Sequence, residues 1–524
     1  MTEFDVIVIG GGHNGLVCGA YLARAGMRTL VLEARASVGG CASTVNALGA
    51  RVNICNCDHA VFRTTPIFDE LNLASFGLRY LEVDPPQISV PWAGGPAWPI
   101  FHDLDRTIEG LQSTYPGEVD GYRRYMKAAA PVVELAFEAA HHVPRRRTLL
   151  GLAARRRGVG LTTLLSWSRK SAADVLMSFF RSDALRAPAA VVGPAVWGVS
   201  PYTPGTGLGA LTYAMKHVAS VGRPVGGSGA LTDAIRGAFE AAGGVVRCDA
   251  QVTAIQCEGS RVRAVQLADG TEFDAPTVVS ACDPHSTFLQ WLRDPPPQAD
   301  RLIQKWKHRP VVSGYESKID AVVASPPHLR ALDPGLPDRL GFDPLHATTI
   351  IAPGLDGIHA AHAAMAYGRV ADKPMLFANV PSALDPTMRL ASPESITGGD
   401  HVFSLEVLFT PYALTGGWPS STEPTRWLEA FAQHAEPGFL DGVRRMRAMT
   451  PDRYEADFHL PKGHATSFAG GALAAFLGTD PELTRYHTPV TGLYLTGAAT
   501  FPGAGVWGAS GRNAAHVVID ECTQ

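Results

Sequence analysis

Asp5-Val6-Ile7-Val8-Ile9-Gly10-Gly11-Gly12-His13-Asn14-Gly15 opens the first structural unit of the chain, and Glu33 and the pair Gly39-Gly40 complete it. Residues 6–9 carry no polar side chain, the pattern of a central parallel strand buried on both faces. Gly10 permits a tight turn, Gly12 lets a diphosphate approach the backbone, and Gly15 lets the next helix sit tightly on the strand. The spacing predicts that helix over residues 14–24, its N–H groups and dipole turned toward an anion. Residues 28–32 read as a second strand, closed by Glu33 where a carboxylate bonds a ribose 2′-hydroxyl. A glycine motif alone says little in a chain with 54 glycines. Strand, motif, helix, strand and acid in this order specify a dinucleotide site.

The details favour FAD. A carboxylate at position 33 repels the 2′-phosphate of NADP, and Arg35 follows the acid without replacing it. An extended flavin nucleotide needs a second close backbone approach, which Gly39 and Gly40 supply because neither has a Cβ. Cys41 and Ser43 follow; the Ser43 hydroxyl either donates to the cofactor or caps the turn.

Later segments rejoin this unit. Val225-Gly226-Gly227-Ser228-Gly229 leads into a helix expected over 230–242, then a short strand at 245–247. Residues 252–257 should pair with 262–267, with Asp269-Gly270 turning the chain afterward. Residues 276–280 read as another buried strand, and the region of Val252 is expected to cover the adenine end. Near the carboxyl end, a strand finishing at Gly497 precedes Gly503-Ala504-Gly505-Val506-Trp507-Gly508 and a helix to about residue 519. The second GxGxxG is not read as a second nucleotide site, because its turn does not follow the strand directly and no strand with an acid comes after it. Its helix start is expected at the N1/C2 carbonyl edge of the isoalloxazine, where a dipole stabilises negative charge.

The fold expected is therefore α/β: a Rossmann-like FAD-binding domain assembled from segments 1–81, 223–285 and 485–524, with a mixed α+β substrate domain from 82–222 and 286–484. A chain of 524 residues exceeds one ordinary core. The net charge of -4 gives no reason to expect nucleic acid. No run of 18 apolar residues suggests a spanning helix, and a start directly in a buried strand leaves no room for a cleaved leader, so a cytoplasmic location is expected. The eight cysteines are scattered without a CxxC pair. Cys41 stands alone, with Asn46 where a disulfide reductase of this architecture carries a partner cysteine. Cys55 and Cys57 read as two half-buried thiols, and no histidine spacing suggests a metal. Residues 145–180 interleave Arg145-Arg146-Arg147, Arg155-Arg156-Arg157 and Arg169-Lys170 with leucines and Trp167. Three readings stay open for this stretch: peripheral membrane contact, a homo-oligomer or partner interface, and a solvated basic face.

The segments 5–40, 224–284 and 492–515 resemble the phytoene desaturase-like family of FAD oxidoreductases, within the amine oxidase-type superfamily. They are most similar to the branch of pyridine nucleotide-disulfide oxidoreductase domain proteins. The resemblance implies nucleotide contacts at Gly10, Gly12, Gly15, Glu33, Gly40, Val252 and the Gly505 turn. It also implies hydride transfer from an apolar substrate to FAD, with reoxidation by a quinone or dioxygen. Together with their neighbours, the candidate cofactor contacts comprise His13, Asn14, Ala34, Arg35, Gly39, Cys41, Ser43, Gly497 and Val506 as well. The chain departs from carotenoid desaturases at Asn53-Ile54-Cys55-Asn56-Cys57-Asp58-His59 and at Trp507, a bulky ring beside the expected flavin.

Flavin carries hydride chemistry, so the protein must place a C–H bond and manage a proton. His59, after the cofactor loops, is the first candidate base, and His464 in Lys462-Gly463-His464 the second. Trp507 is expected to wall the substrate pocket; Arg512 and Asn513 read as helix surface. The leading function is a FAD-dependent dehydrogenase or desaturase of an apolar or partly apolar small molecule. The alternatives are a dioxygen-consuming amine or amino-acid-type oxidase, and a non-enzymatic interaction protein retaining the fold.

Overall fold

A computed structural model describes residues 3–55, 58–389, 399–464, 467–468 and 470–522; the strands counted below are of these residues. Cys57, one of the two thiols read as a pair, lies outside them.

Five parallel strands form the first sheet, in the order Leu493–Leu495, Thr277–Ser280, Val6–Ile9, Thr29–Leu32 and Val245–Arg247. Three separated chain segments thus build one sheet. Val6–Ile9 lies at its centre with every residue buried, as its unbroken apolar run requires. One face packs on the helices His13–Arg24, Gly229–Ala241 and Ala509–Cys522. The other face packs on a four-stranded sheet built around the hairpin Val252–Glu258 and Arg261–Leu267. The hairpin pairs as the sequence predicts, and the terminal helix runs about one turn further than expected.

A seven-stranded sheet makes the second layer, in the order Val443–Met449, Glu316–Val323, His401–Leu408, Met375–Asn379, Thr348–Ala352, Gln87–Pro91 and Trp98–Ile100. Only Thr348–Ala352 and Gln87–Pro91 pair in parallel. On one face Ile319, Ala321, Phe403 and Leu405 pack under Trp427 and Phe431. The opposite face carries Met375, Phe377 and Leu408 into a core shared with helix Val119–Ala140. The same face presents Glu316, Lys318, Asp320, Ser404 and Glu406, because successive strand residues alternate sides.

Residues 145–180 form helices Arg146–Arg155, Leu161–Trp167 and Ala172–Phe179. Several of their cations are paired: Arg156 with Glu134 and Glu138, and Arg145 with Asp520. Leu150, Val159, Leu165 and Met177 stay exposed. Among the described residues, no helix is long and apolar enough to cross a membrane.

Candidate active site

The three glycines of the leading turn have three different surroundings. A Cβ on Gly15 would stand 2.0 Å from the Gly10 carbonyl oxygen, so only glycine lets the helix reach the strand. Gly10 turns the chain at φ +101°. A Cβ on Gly12 would meet nothing within 4 Å. Gly12 is also the N-cap of His13–Arg24 and brings no side chain to the first-turn N–H groups. An open, uncapped helix start of this kind can hold a diphosphate.

The second glycine loop closes directly on the first. Gly39 N–H donates to the Gly11 carbonyl at 2.8 Å, and a Cβ on Gly40 would lie 3.3 Å from Gly12 Cα. Glu33 is buried; its Oε2 accepts the Gly11 N–H at 2.8 Å and its Oε1 the Arg35 N–H at 2.9 Å. A carboxylate has about four acceptor positions, so two remain for a ribose. Next to it, Ala250 N–H donates to the Glu33 carbonyl and Asp249 N–H to that of Arg35. These bonds bring the strand that starts at Val252 beside the acid, with Ala34 half-buried between.

The carboxyl-terminal loop meets the same place. Gly497, at φ +102°, donates its N–H to Ser510 Oγ at 3.0 Å. A Cβ on Gly511 would lie 2.1 Å from the Asn14 carbonyl oxygen, so the first and last helices touch at their amino ends. The half-buried His13 ring bonds the Gly505 backbone, and desolvation pushes its pKa down to about 4. Val506 packs into the core under the first helix. Trp507 donates to the Ala504 carbonyl and meets Phe137 edge-on at 5.7 Å, so it joins this loop to the helical layer of the other sheet.

The structure gives several of these residues partners within the protein. Ser43 donates its hydroxyl to the Gly40 carbonyl at 2.6 Å, so it caps the turn. Arg35 stacks its guanidinium 4.1 Å from the Phe458 ring centroid and reaches Ser43 Oγ at 3.4 Å. Cys41 does not stand alone: its thiol shares a hydrogen bond with Cys55, fourteen positions away in sequence and outside any CxxC spacing. Arg512 and Asn513 are not free helix surface, for Arg512 pairs with Glu70 and Asn513 bonds the Ala140 carbonyl.

His59 is likewise partnered. It is 1 % exposed, its Nδ1 lies 3.0 Å from the Tyr80 hydroxyl, and its Nε2 lies 3.1 Å from Ser228 Oγ. Desolvation pushes its pKa down to about 3. The scaffold engages both nitrogens, so the ring ties its segment to Tyr80 and Ser228. Its neutral form is the one the fold accommodates, whereas the unfolded chain takes up a proton near the ordinary value. This contribution to stability is therefore present above about pH 6.5 and lost as pH falls toward 3. His59→Ala should remove two buried hydrogen bonds, about 2 kcal/mol. The expected result is a lower melting temperature at neutral pH with flavin content retained; an unchanged melting temperature would refute the tie. His464 packs on Tyr315 with ring centroids 5.0 Å apart, and burial lowers its pKa to about 4.

The sequence reading missed a group on the seven-stranded sheet. Lys318 Nζ bonds Asp320 and donates to the Asn53 carbonyl at 2.6 Å, while Arg447 Nε meets Asp320 Oδ2 at 3.0 Å. A small cavity of about 10 Å³, room for one water, is lined by Asn53, Cys55, Lys318, Ser404 and Glu406. Nearby, Asp58 is held ionised by Arg223 and Thr348 against the cost of burial. A larger cavity, of about 390 Å³, lies against Ala378, Val380 and Phe403 and includes none of the glycine-loop residues. Among the described residues no cluster could hold a metal ion.

A family model described as FAD dependent oxidoreductase matches residues 5–312. The mouse (Mus musculus) pyridine nucleotide-disulfide oxidoreductase domain-containing protein 2 is 31% identical over 99% of this chain and 93% of its own. One component of the limonene dehydrogenase of Castellaniella defragrans is 25% identical over 99% and 95%, respectively. The lycopene-forming phytoene desaturase of Pseudescherichia vulneris is 26% identical over 98% and 99%. Among solved structures, cyclohexylamine oxidase from Brevibacterium oxydans superposes with a TM-score of 0.60 at 16% identity, covering 99% of this chain and all of that one. The family model spans more than half of the chain and the mouse relative nearly all of it, so the cradle of glycines belongs to an enzyme: this chain is a member of the FAD dependent oxidoreductase family.

Proposed function

We propose that this enzyme dehydrogenates an apolar or partly apolar small molecule at FAD, passing electrons on to a quinone or dioxygen. The observation that carries the FAD assignment is the open space over Gly12 at an uncapped helix start, bordered by Gly40. Gly10, Gly12, His13, Asn14 and Gly15 would hold the diphosphate, Glu33 the adenosine ribose, and the Val252 segment the adenine. Gly39 and Gly40 would border the ribityl chain, and the Gly497 and Gly505 turns the isoalloxazine. Bound there, FAD supplies the hydride acceptor.

The chain's own residues do the rest. Phe377 and Leu408 are packed in the core on the sheet face that also bears Glu316 and Glu406, so apolar side chains flank the two carboxylates, as a largely apolar substrate with one reacting centre would require. Trp507 closes one side. His464, neutral against Tyr315, is an uncharged hydrogen-bonding group of the wall. The membrane reading of residues 145–180 rests on Leu150, Val159, Leu165 and Met177, exposed among arginines, where an apolar substrate could be drawn from a bilayer.

The test is anaerobic mixing of the FAD-loaded protein with limonene and, separately, with cyclohexylamine. Bleaching of the flavin absorbance by limonene alone is expected. Bleaching by cyclohexylamine alone would replace this reading with the amine oxidase one.

A further inference from the structure

Glu316 and Glu406 stand on adjacent antiparallel strands. Lys318 is directly opposite Glu406, and Glu316 lies two residues before Lys318 on the same face. The two carboxylates are therefore diagonal neighbours, with about 7–8 Å between such positions and less between side chains that lean together. Both side chains are half-buried. Glu406 borders the small cavity beside Cys55, and Cys41 adjoins Gly40 of the second glycine loop.

The charges around the pair fix its protonation. On its own strand Lys318 binds Asp320, and Arg447 from the edge strand binds the same carboxylate. That trio leaves one net positive charge. Cys41 and Cys55 face the pair from the cofactor loops, Tyr315 and Tyr454 from its rim, and Asp58 approaches Glu406 while bound to Arg223. One ionised glutamate neutralises the trio; a second would be an uncompensated buried charge. Burial raises both groups; repulsion from Glu406 and Cys41 adds to the rise at Glu316, and Asp58 adds to it at Glu406, which reaches about 7 even with Lys318 opposing.

We propose that Glu316 and Glu406 share a single proton and together accept the proton that leaves the substrate during dehydrogenation. This rests on the FAD dehydrogenase reading above. Removing two hydrogens from adjacent atoms breaks two bonds. One hydrogen departs with its electron pair as hydride to bound FAD. The other departs as a proton to the ionised member of the pair, and its bonding electrons become the new π bond. The doubly protonated pair then returns one proton to solvent; bound FAD would supply the hydride acceptor, and a quinone or dioxygen would take up the two electrons. A carboxylate that holds its proton near neutrality is a suitable base at working pH, worth about 10²–10⁴ in rate.

Two measurements decide it, both on FAD-loaded enzyme with Glu316→Gln and Glu406→Gln as variants of matched shape. Without substrate, infrared spectra across pH 5–9 should show a protonated carboxyl band lost near pH 7 in the wild type. Either variant should abolish that neutral transition. If a variant keeps the wild-type transition, the shared proton is overturned. With limonene, each variant should reduce flavin at least about 100-fold more slowly while retaining its flavin absorbance and melting temperature. A loss below about fivefold, with an unchanged pH profile, would overturn the pair's role as base and leave the dehydrogenase reading intact. If limonene fails to bleach the wild type, the dehydrogenase reading fails and the substrate-proton role with it, whereas the infrared result still judges the shared proton by itself.

Discussion

Gly12→Ala should yield a stably folded protein with FAD affinity lowered by about two orders of magnitude, and Gly15→Ala one whose fold is severely destabilised. The two substitutions add the same methyl group three residues apart, and their surroundings separate them. At Gly15 the new carbon would lie 2.0 Å from the Gly10 carbonyl oxygen, which belongs to the turn itself and has no side chain to swing aside. Relief requires lifting the helix His13–Arg24 from the central strand, and that helix packs on Ala509–Cys522 and Gly229–Ala241 as well. The cost reaches the ~5 kcal/mol extreme of single substitutions, a large share of the ~5–15 kcal/mol that holds a typical protein folded. At Gly12 the added carbon meets nothing within 4 Å, and φ is -69°, which alanine adopts without strain. The apoprotein should melt within a degree or two of wild type, or slightly higher through lost unfolded-state entropy. The methyl group then occupies the space proposed for the diphosphate, and flavin affinity should fall by two orders of magnitude or more. Melting curves of the apoproteins and flavin titration separate the two outcomes. A Gly12→Ala protein that binds FAD like wild type would show that the diphosphate does not cross Gly12.

That contrast was legible in the sequence because dinucleotide cradles are encoded locally. An apolar strand, glycines at fixed offsets and an acid lie within one stretch, and each residue's task follows from backbone geometry. The pairing of 252–257 with 262–267 was legible for a similar reason, since strand, turn and strand are contiguous. The role of His59 was not legible because its partners are not local. Tyr80 and Ser228 reach it from distant segments, and a position after cofactor loops says nothing of what meets the ring. The Cys41–Cys55 contact was hidden in the same way, by a hairpin at Thr44–Ala47 and Ala50–Asn53 that returns the chain on itself. The buried charges were missed for a different reason. Glu316, Lys318 and Asp320 alternate with Ser317, Ile319 and Ala321, the pattern of a strand with one face in water. Only the stacking of this sheet on the Asn53 loop turns the polar face inward. The one available signal was three charges at consecutive same-face positions in a chain where only 18% of residues are charged.

The same buried face produces the second large effect. Asp320 is 1 % exposed and binds two cations: Lys318, itself 4 % exposed, and Arg447 through Nε at 3.0 Å and Nη2 at 2.9 Å. Asp320→Ala leaves those cations facing each other without their shared counter-ion. Breaking a buried pair from one side costs about 3–5 kcal/mol, mainly because the remaining charge loses its compensation. Lys318→Met should cost less, since Asp320 keeps Arg447 and methionine fills much of the lysine stem's volume. The double variant Lys318→Met/Asp320→Leu should recover part of the Asp320→Ala loss, because an apolar replacement of both partners removes their desolvation cost. Denaturant midpoints of the three proteins therefore fall in the order Lys318→Met, double variant or equal to it, then Asp320→Ala lowest. Equal losses for the two single variants would mean that Arg447 contributes nothing. Flavin retention gives a second readout, because Lys318 also holds the Asn53 carbonyl and so ties the sheet to the chain that carries Cys55. Lys318→Met should loosen that tie and weaken FAD binding beyond what its modest stability loss accounts for. The network thus does two separable things: Asp320 neutralises the cations, and Lys318 fixes the sheet with its two glutamates against the loop that borders the cofactor cradle.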